Sequence, residues 1–383
     1  MPALPPIPLA RPDITQREID AVVDVMQTST LSIGPRIEEF EKLCAKVSGR
    51  RLGIGVSSGT AGLHAAMLAC GIGAGDEVIT TPFSFVASTN CILYVGAKPV
   101  FVDIDPQTLN LDPEKVKAAI TPRTRGIVAV EVFGHPGGMG EIEQIARDHD
   151  LCLIEDCCEA FGGCYGKRPV GSFGRCGVFG FYPNKQITTG EGGMIVTDDE
   201  DVARLCRSLR NQGRDGMSWL SHERLGYNYR LSEINAAIGI VQVQRLDEIL
   251  ENRRRVAHGY VDRLMTCKYL VLPTLGEKEH TSWFVFVVRL SDLFEEKDRD
   301  NIVRELRLAG IGSSNYFPPI HLQPYIAQQL GHKAGDFPVC EYVANRTIAL
   351  PFFNQMTRQQ IDRVCKTLEA ILDRTLTGPR ERF

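Results

Sequence analysis

One lysine, Lys185, follows the apolar run Val178–Phe179–Gly180–Phe181 through the turn Tyr182–Pro183–Asn184, and the glycine-rich bend Thr189–Gly190–Glu191–Gly192–Gly193 comes directly after it. An ammonium at the end of a buried strand is a costly placement. It suits an amine that reacts in its neutral form, condensing with a carbonyl to a Schiff base. A lone lysine at a strand end more often reaches solvent, so the assignment depends on its company. Asp156, in Ile154–Glu155–Asp156–Cys157–Cys158–Glu159, ends another buried strand. A carboxylate there either pairs with a cation or caps a helix, and both readings stand. In Ser57–Ser58–Gly59–Thr60–Ala61–Gly62 a strand turns into a helix, where small residues let N–H groups and a hydroxyl converge on an anion. The same residues also make an ordinary turn. The spacing is not GxGxxG and no Walker lysine follows, so a single phosphate fits better than a nucleoside triphosphate. Phe85, after Pro82–Phe83–Ser84, suits either a core or a flat ring stacked on it.

The elements that position these residues alternate. Thr15–Gln16–Arg17–Glu18 is a capping box opening a helix, and a second helix runs from about Pro35 to Val47. Short strands at Leu52–Val56, Glu77–Thr80, Pro99–Val102, Gly126–Val130 and Leu151–Ile154 follow. Helices are expected at 61–70, 85–94 and 139–149. Helices packed on a mostly parallel sheet are the expected outcome. After Arg230 the rhythm changes: a long charged helix from Ser232 to Leu264, a strand at Thr281–Leu290, a helix at Arg299–Leu308, a strand near Gly312–Tyr316, and a last helix at Arg358–Leu372. The expected division is a large domain over 1–245 and a smaller α+β domain over 246–383.

At 383 residues, with a net charge of −4, the chain has no electrostatic case for nucleic acid or an anionic membrane. The run Arg253–Arg254–Arg255 reads as a solvated helix face. Met1–Pro2–Ala3–Leu4–Pro5–Pro6 lacks the charged start and apolar core of a signal peptide, and no apolar run spans a bilayer. A cytoplasmic location with twelve reduced cysteines is therefore expected. No cysteine pair has ligand spacing near a histidine pair, so no metal is expected.

In chain order, phosphate turn, stacking aromatic, strand-end Asp and strand-end Lys match the fold-type-I enzymes of pyridoxal 5'-phosphate (PLP), in which an Asp keeps a pyridinium nitrogen protonated. The chain resembles the DegT-type nucleotide-sugar aminotransferases over nearly its whole length. The resemblance is carried by Ser58–Gly59–Thr60–Ala61–Gly62–Leu63–His64, Gly75–Asp76–Glu77–Val78–Ile79, Phe101–Val102–Asp103–Ile104, Phe133–Gly134–His135–Pro136, Glu155–Asp156, the Thr189–Gly193 bend and Gly226–Tyr227–Asn228–Tyr229–Arg230. It implies a three-layer α/β/α large domain, PLP bound to Lys185, and Asp156 at the pyridine nitrogen. Ser58, Gly59 and Thr60 would hold the phosphate and Phe85 would cover one ring face. Asn228 would reach the partner subunit's cofactor, making an obligate homodimer. Arg230, Tyr316 and His321 are implied substrate contacts, although Tyr316–Phe317–Pro318–Pro319–Ile320–His321 also reads as a rigid proline turn.

The implied reaction moves an amino group from L-glutamate to a nucleotide-linked keto-sugar. A sugar dehydratase is the nearest alternative, but related dehydratases carry His where Lys185 stands. A PLP-binding regulator without turnover is the alternative from another class. Two positions depart from the family pattern. Gly180 stands where a phosphate-binding Ser is common. Glu159 stands where a Gln near the cofactor's phenolic oxygen is common, so Glu159 is expected to be protonated or turned away.

Overall fold

The computed structural model describes residues 5–215, 221–273 and 278–377; Met1–Leu4, where part of the signal-peptide reading falls, lie outside them. Thirteen strands carry the topology. They are β1 (Leu52–Val56), β2 (Glu77–Thr80), β3 (Lys98–Phe101), β4 (Thr124–Val130), β5 (Cys152–Asp156), β6 (Cys164–Tyr165) and β7 (Arg168–Pro169), then β8 (Cys176–Gly180), β9 (Gly193–Thr197), β10 (Leu270–Val271), β11 (Glu279–His280), β12 (Phe286–Leu290) and β13 (Thr347–Leu350). Seven of them form one sheet in the order β1-β9-β8-β5-β4-β2-β3. All its pairings are parallel except those of β9, which runs antiparallel to β1 and β8. The C-terminal ends of β1, β8, β5 and β4 therefore meet at one edge, where open α/β sheets bind ligands.

Period-two burial builds the layers. Val178 faces a core with the helix Gly59–Ala69 and the helix Glu200–Arg210, whereas its neighbour Phe179 faces one with Pro35–Val47 and Glu233–Gln244. A second sheet, β10-β12-β13, shares its core with Val256, Tyr260, Leu306, Leu368 and, from the start of the chain, Ile7. The expected capping box is present: Thr15 Oγ1 accepts from Arg17 N at 3.3 Å, and Glu18 Oε2 accepts from Thr15 N at 2.8 Å. Among the described residues, no helix is long and apolar enough to cross a membrane. All twelve cysteines are free thiols.

Four expectations are corrected. The long helix from Ser232 is two, Glu233–Gln244 and Leu246–Leu264, because Arg245 turns inward to Glu18 (2.7 Å) and Asp13 (3.2 Å). The strand at Thr281–Leu290 begins only at Phe286. Trp283 sits at φ 55°, and the carbonyls of Trp283 and Phe284 accept from Arg253 rather than from a neighbouring strand. Arg253 is thus buried, not part of a solvated face, and burial pushes its pKa down to about 10. Gly312–Tyr316 forms no strand. Gly312 N donates to Ile7 O at 2.8 Å and Ser314 makes one bridge to Ala349, so this segment runs beside the N-terminal residues instead.

Candidate active site

Strand β5 delivers Asp156 to the sheet edge, 5% exposed, and a turn rather than a helix follows it, which removes the helix-cap reading. Its Oδ2 accepts from Ser88 Oγ at 2.7 Å and its Oδ1 from Cys158 N at 3.3 Å. Those donors fix the orientation of the carboxyl group. Ser88 escaped the sequence reading. It lies on the helix Ala87–Tyr94, and its hydroxyl is 2.9 Å from that of Ser84, one turn earlier. A serine in the first turn of an apolar helix, four residues after another buried serine, is the signal that marks it.

Lys185 is not on the strand itself. Strand β8 ends at Gly180, and the Pro183–Asn184 turn, closed by Lys185 N donating to Tyr182 O at 2.9 Å, swings the lysine back over the sheet edge. Its Nζ lies 3.5 Å from Glu159 Oε1 and 4.0 Å from the centre of the Phe284 ring. Glu159 Oε2 accepts from Phe133 N at 2.9 Å. Burial raises the Glu159 pKa, and the Lys185 charge opposes that rise. Glu159 is therefore aimed at the lysine amine and at a backbone N–H.

These groups line one cavity of about 110 Å³ with Gly59, Thr60, Phe85, Cys158 and Gly180. Thr60 and the first N–H groups of the helix Gly59–Ala69 point an anion-binding end into it. Ser58 Oγ accepts from Ala61 N at 3.1 Å as the N-cap of that helix, so its lone pair serves the helix. A Cβ on Gly59 would meet Cys158 Sγ at 2.7 Å, which demands glycine there. Phe85, 60% exposed, stands at the cavity's mouth and not in the core. A carboxylate for a ring nitrogen, an amine for a carbonyl and a helix N-terminus for one phosphate are the donor set that PLP requires, and the residues fit it.

The other expected residues divide. Tyr316 lies near Glu159, whose charge, after burial, raises its hydroxyl's pKa; its ring stacks on Phe317 with centroids 4.9 Å apart. His321 is fully buried, 3.0 Å from Glu341 Oε1 and edge-on to Phe337, and burial lowers its pKa. That packing favours the rigid-turn reading of this loop, with His321 held inside it. Its loop is anchored where Ile320 N donates to Pro82 O at 2.8 Å. Asn228 pairs by backbone with Asn211, and Arg230 Nη1 donates to Asn211 Oδ1 at 3.1 Å. Arg230 lines a different cavity of about 700 Å³ with Arg204, Arg207 and Arg210, away from Lys185.

Gly180 has a local reason. A Cβ there would come within 3.3 Å of Cys158 Sγ, so the thiol occupies the space a serine would need. Gly180→Ser is expected to lower stability by about 1–3 kcal/mol through overpacking, and Cys158→Ala in the same chain to restore most of the loss. Urea denaturation of both single variants and the double variant checks this. Strictly additive losses would contradict the contact.

The sequence profile described as the DegT/DnrJ/EryC1/StrS aminotransferase family matches residues 12–369. GDP-perosamine synthase of Caulobacter vibrioides is 40% identical over 375 residues, covering 97% of this chain and 100% of that protein. The crystal structure of S. venezuelae DesV superposes with a TM-score of 0.89 at 32% identity, covering 96% of this chain and 98% of the other. The PLP form of the sugar aminotransferase Spr1654 from Streptococcus pneumoniae, itself described as putative, gives 0.92 at 26% identity, covering 97% and 100%. With Lys185, Asp156 and the phosphate turn gathered at one sheet edge, PLP is the cofactor and transamination the chemistry. The chain belongs to the DegT/DnrJ/EryC1/StrS aminotransferase family.

Proposed function

We propose that this sugar aminotransferase moves the amino group of L-glutamate to a nucleotide-linked keto-sugar, as a cytoplasmic homodimer with shared active sites. The observation that carries the reading is Lys185 Nζ held 3.5 Å from Glu159 within the cavity that Asp156 and the helix N-terminus also line. The 40% identity to GDP-perosamine synthase over essentially the whole of both chains supports a sugar nucleotide as acceptor. PLP, bound there, supplies an electron sink for the C–H bond that breaks. Asp156 would pair with the ring nitrogen, and Ser88 keeps its carboxyl group in place. With PLP bound, Lys185 Nζ would take a proton from the glutamate carbon in the first half-reaction and deliver one to the sugar carbon that receives the amine in the second. Thr60 and the helix N-terminus bind the phosphate, leaving binding energy for orientation.

An apolar stripe supports the dimer: Ile14, Ile19 and Val23 are 43–49% exposed beside Pro183 in the turn that carries Lys185, and Met26 on the same helix is 57% exposed. Such a patch on a monomer marks an association surface. In this reading the chain divides into 1–245 and 246–383, with the boundary at Arg245 between two helices.

Purified protein supplied with PLP, L-glutamate and a panel of nucleotide-linked 3-keto- and 4-keto-sugars is expected to convert at least one sugar to its amine, read by mass spectrometry together with 2-oxoglutarate release. Glutamate consumption with no aminated sugar would sink the acceptor assignment. Sedimentation at assay concentration is expected to give a dimer, and an active monomer would overturn the shared site.

A further inference from the structure

Directly behind Asp156 the sheet buries a second acidic group that no step above uses. Glu131 follows β4, is 0% exposed, and neither of its carboxyl oxygens accepts a hydrogen bond among the described residues. Its carboxyl, that of Glu155 and the thiol of Cys157 lie with ligand atoms within 4.8 Å of one another, all buried. Glu155 is the satisfied member of this set. Gly171 N donates to it at 2.8 Å, Phe173 N at 2.5 Å and Gly174 N at 2.7 Å, and an Arg50 guanidinium nitrogen lies 3.9 Å away. Those donors can hold one negative charge at Glu155, and nothing equivalent serves Glu131.

We propose that Glu131 keeps its proton, presents it to the Glu155 carboxylate, and so acts as a positioning residue for the Glu159–Lys185 pair. The link is the short loop that Glu131 begins. Glu131 N donates to Asp156 O at 3.4 Å, Val132 N donates to Asn110 Oδ1 at 2.9 Å, and Phe133 N donates to Glu159 Oε2 at 2.9 Å. A protonated Glu131 lets this loop sit against two carboxylates. An ionised one faces Glu155 and Asp156 on β5, and the repulsion opens the loop that holds Glu159. Burial and those two like charges raise the Glu131 pKa well above the ordinary carboxylate range, consistent with the geometry. A metal ion bridging the same three groups is the competing occupant. It would have to displace donors already made to Glu155, and Cys157, whose thiol burial also pushes up, would have to ionise.

The inference rests on the proposed role of Lys185, but its test needs no substrate, so the two can fail separately. A raised native-state pKa means that stability is full below the unfolded carboxylate pKa and is lost as pH rises towards the native value. Glu131→Gln keeps the shape and an N–H donor but has no proton to lose. In the PLP-loaded full chain, the folding equilibrium of Glu131→Gln should therefore gain on the parent by up to tenfold per pH unit between pH 5 and 9. Hydrogen exchange at Val132–Gly134, corrected for intrinsic rate, should lose protection with rising pH in the parent and not in the variant. An infrared carboxylic-acid C=O band at pH 7 should be present in the parent and absent from Glu131→Gln. Parallel stability curves, pH-independent protection in both proteins, or a stoichiometric metal ion lost in Glu131→Gln would each overturn the proposal.

Discussion

Lys185→Ala should fold normally and lose turnover by about 10⁴-fold or more, because one atom serves as both nucleophile and proton carrier. The visible absorbance of lysine-linked PLP should vanish with it. Stability should fall by no more than about 2 kcal/mol. The ammonium is 14% exposed and paired at 3.5 Å with a Glu159 carboxyl whose pKa burial already raises, so Glu159 can take up a proton when the lysine goes. The contact with Phe284 is lost as well, worth about 0.5–2 kcal/mol. Lys185→Arg separates the roles, since it keeps a cation near Glu159 and Phe284 without a nucleophilic amine, and should be as inactive as the alanine variant. Turnover within tenfold of the parent in either variant, with amino product formed, would refute the assignment.

What the sequence made legible was chemistry placed at the ends of strands. Lys185 and Asp156 stand out because a charged residue closing an apolar run has few structural reasons to be there, and Gly59 because only small residues let a helix N-terminus approach an anion. Partners that arrive from elsewhere in the chain were not legible. Ser88 reaches Asp156 across 68 positions, and neither local sequence says which carboxylate a buried serine will meet. His321 was legible only as a choice between two readings: its loop suits a substrate contact or a rigid proline turn, and it is Glu341, twenty positions on, that holds the histidine inside. Among the strands of the main sheet, β9 was the omission. It is the lone antiparallel member of the main sheet, and its short apolar core, Met194–Val196, has no helix before it to mark the alternation.

Arg253 carries the largest expected effect on stability, and the reason explains why its helix was misread. The periodicity of Leu246–Leu264 places charged residues on several faces, and only the tertiary fold brings three acceptors to one of them. Arg253 Nε donates to Trp283 O at 2.6 Å, Nη2 to Phe284 O at 2.8 Å and Nη1 to Asn354 Oδ1 at 3.1 Å, with the guanidinium carbon 5.1 Å from the Phe352 ring centre. Asn354 in turn donates to Asp13 at 2.7 Å, the carboxylate that also pairs with Arg245. Removing the guanidinium leaves two carbonyls and an amide oxygen buried without donors, each costing about 1–3 kcal/mol. Relief of the cation's own desolvation offsets part of that. Arg253→Met should therefore lose on the order of 3 kcal/mol of stability, and Arg253→Lys somewhat less, because one ammonium cannot serve all three acceptors in the plane of a guanidinium fork. The carbonyl of Phe284 belongs to the residue whose ring lies over Lys185 Nζ, so the same variants should also loosen the lysine's seat. Chemical denaturation and the pH titration of the bound cofactor's absorbance, taken together, separate the two effects. Loss of stability with an unchanged titration would confine Arg253 to the fold, and unchanged stability would refute its role as the clamp on residues 283–284.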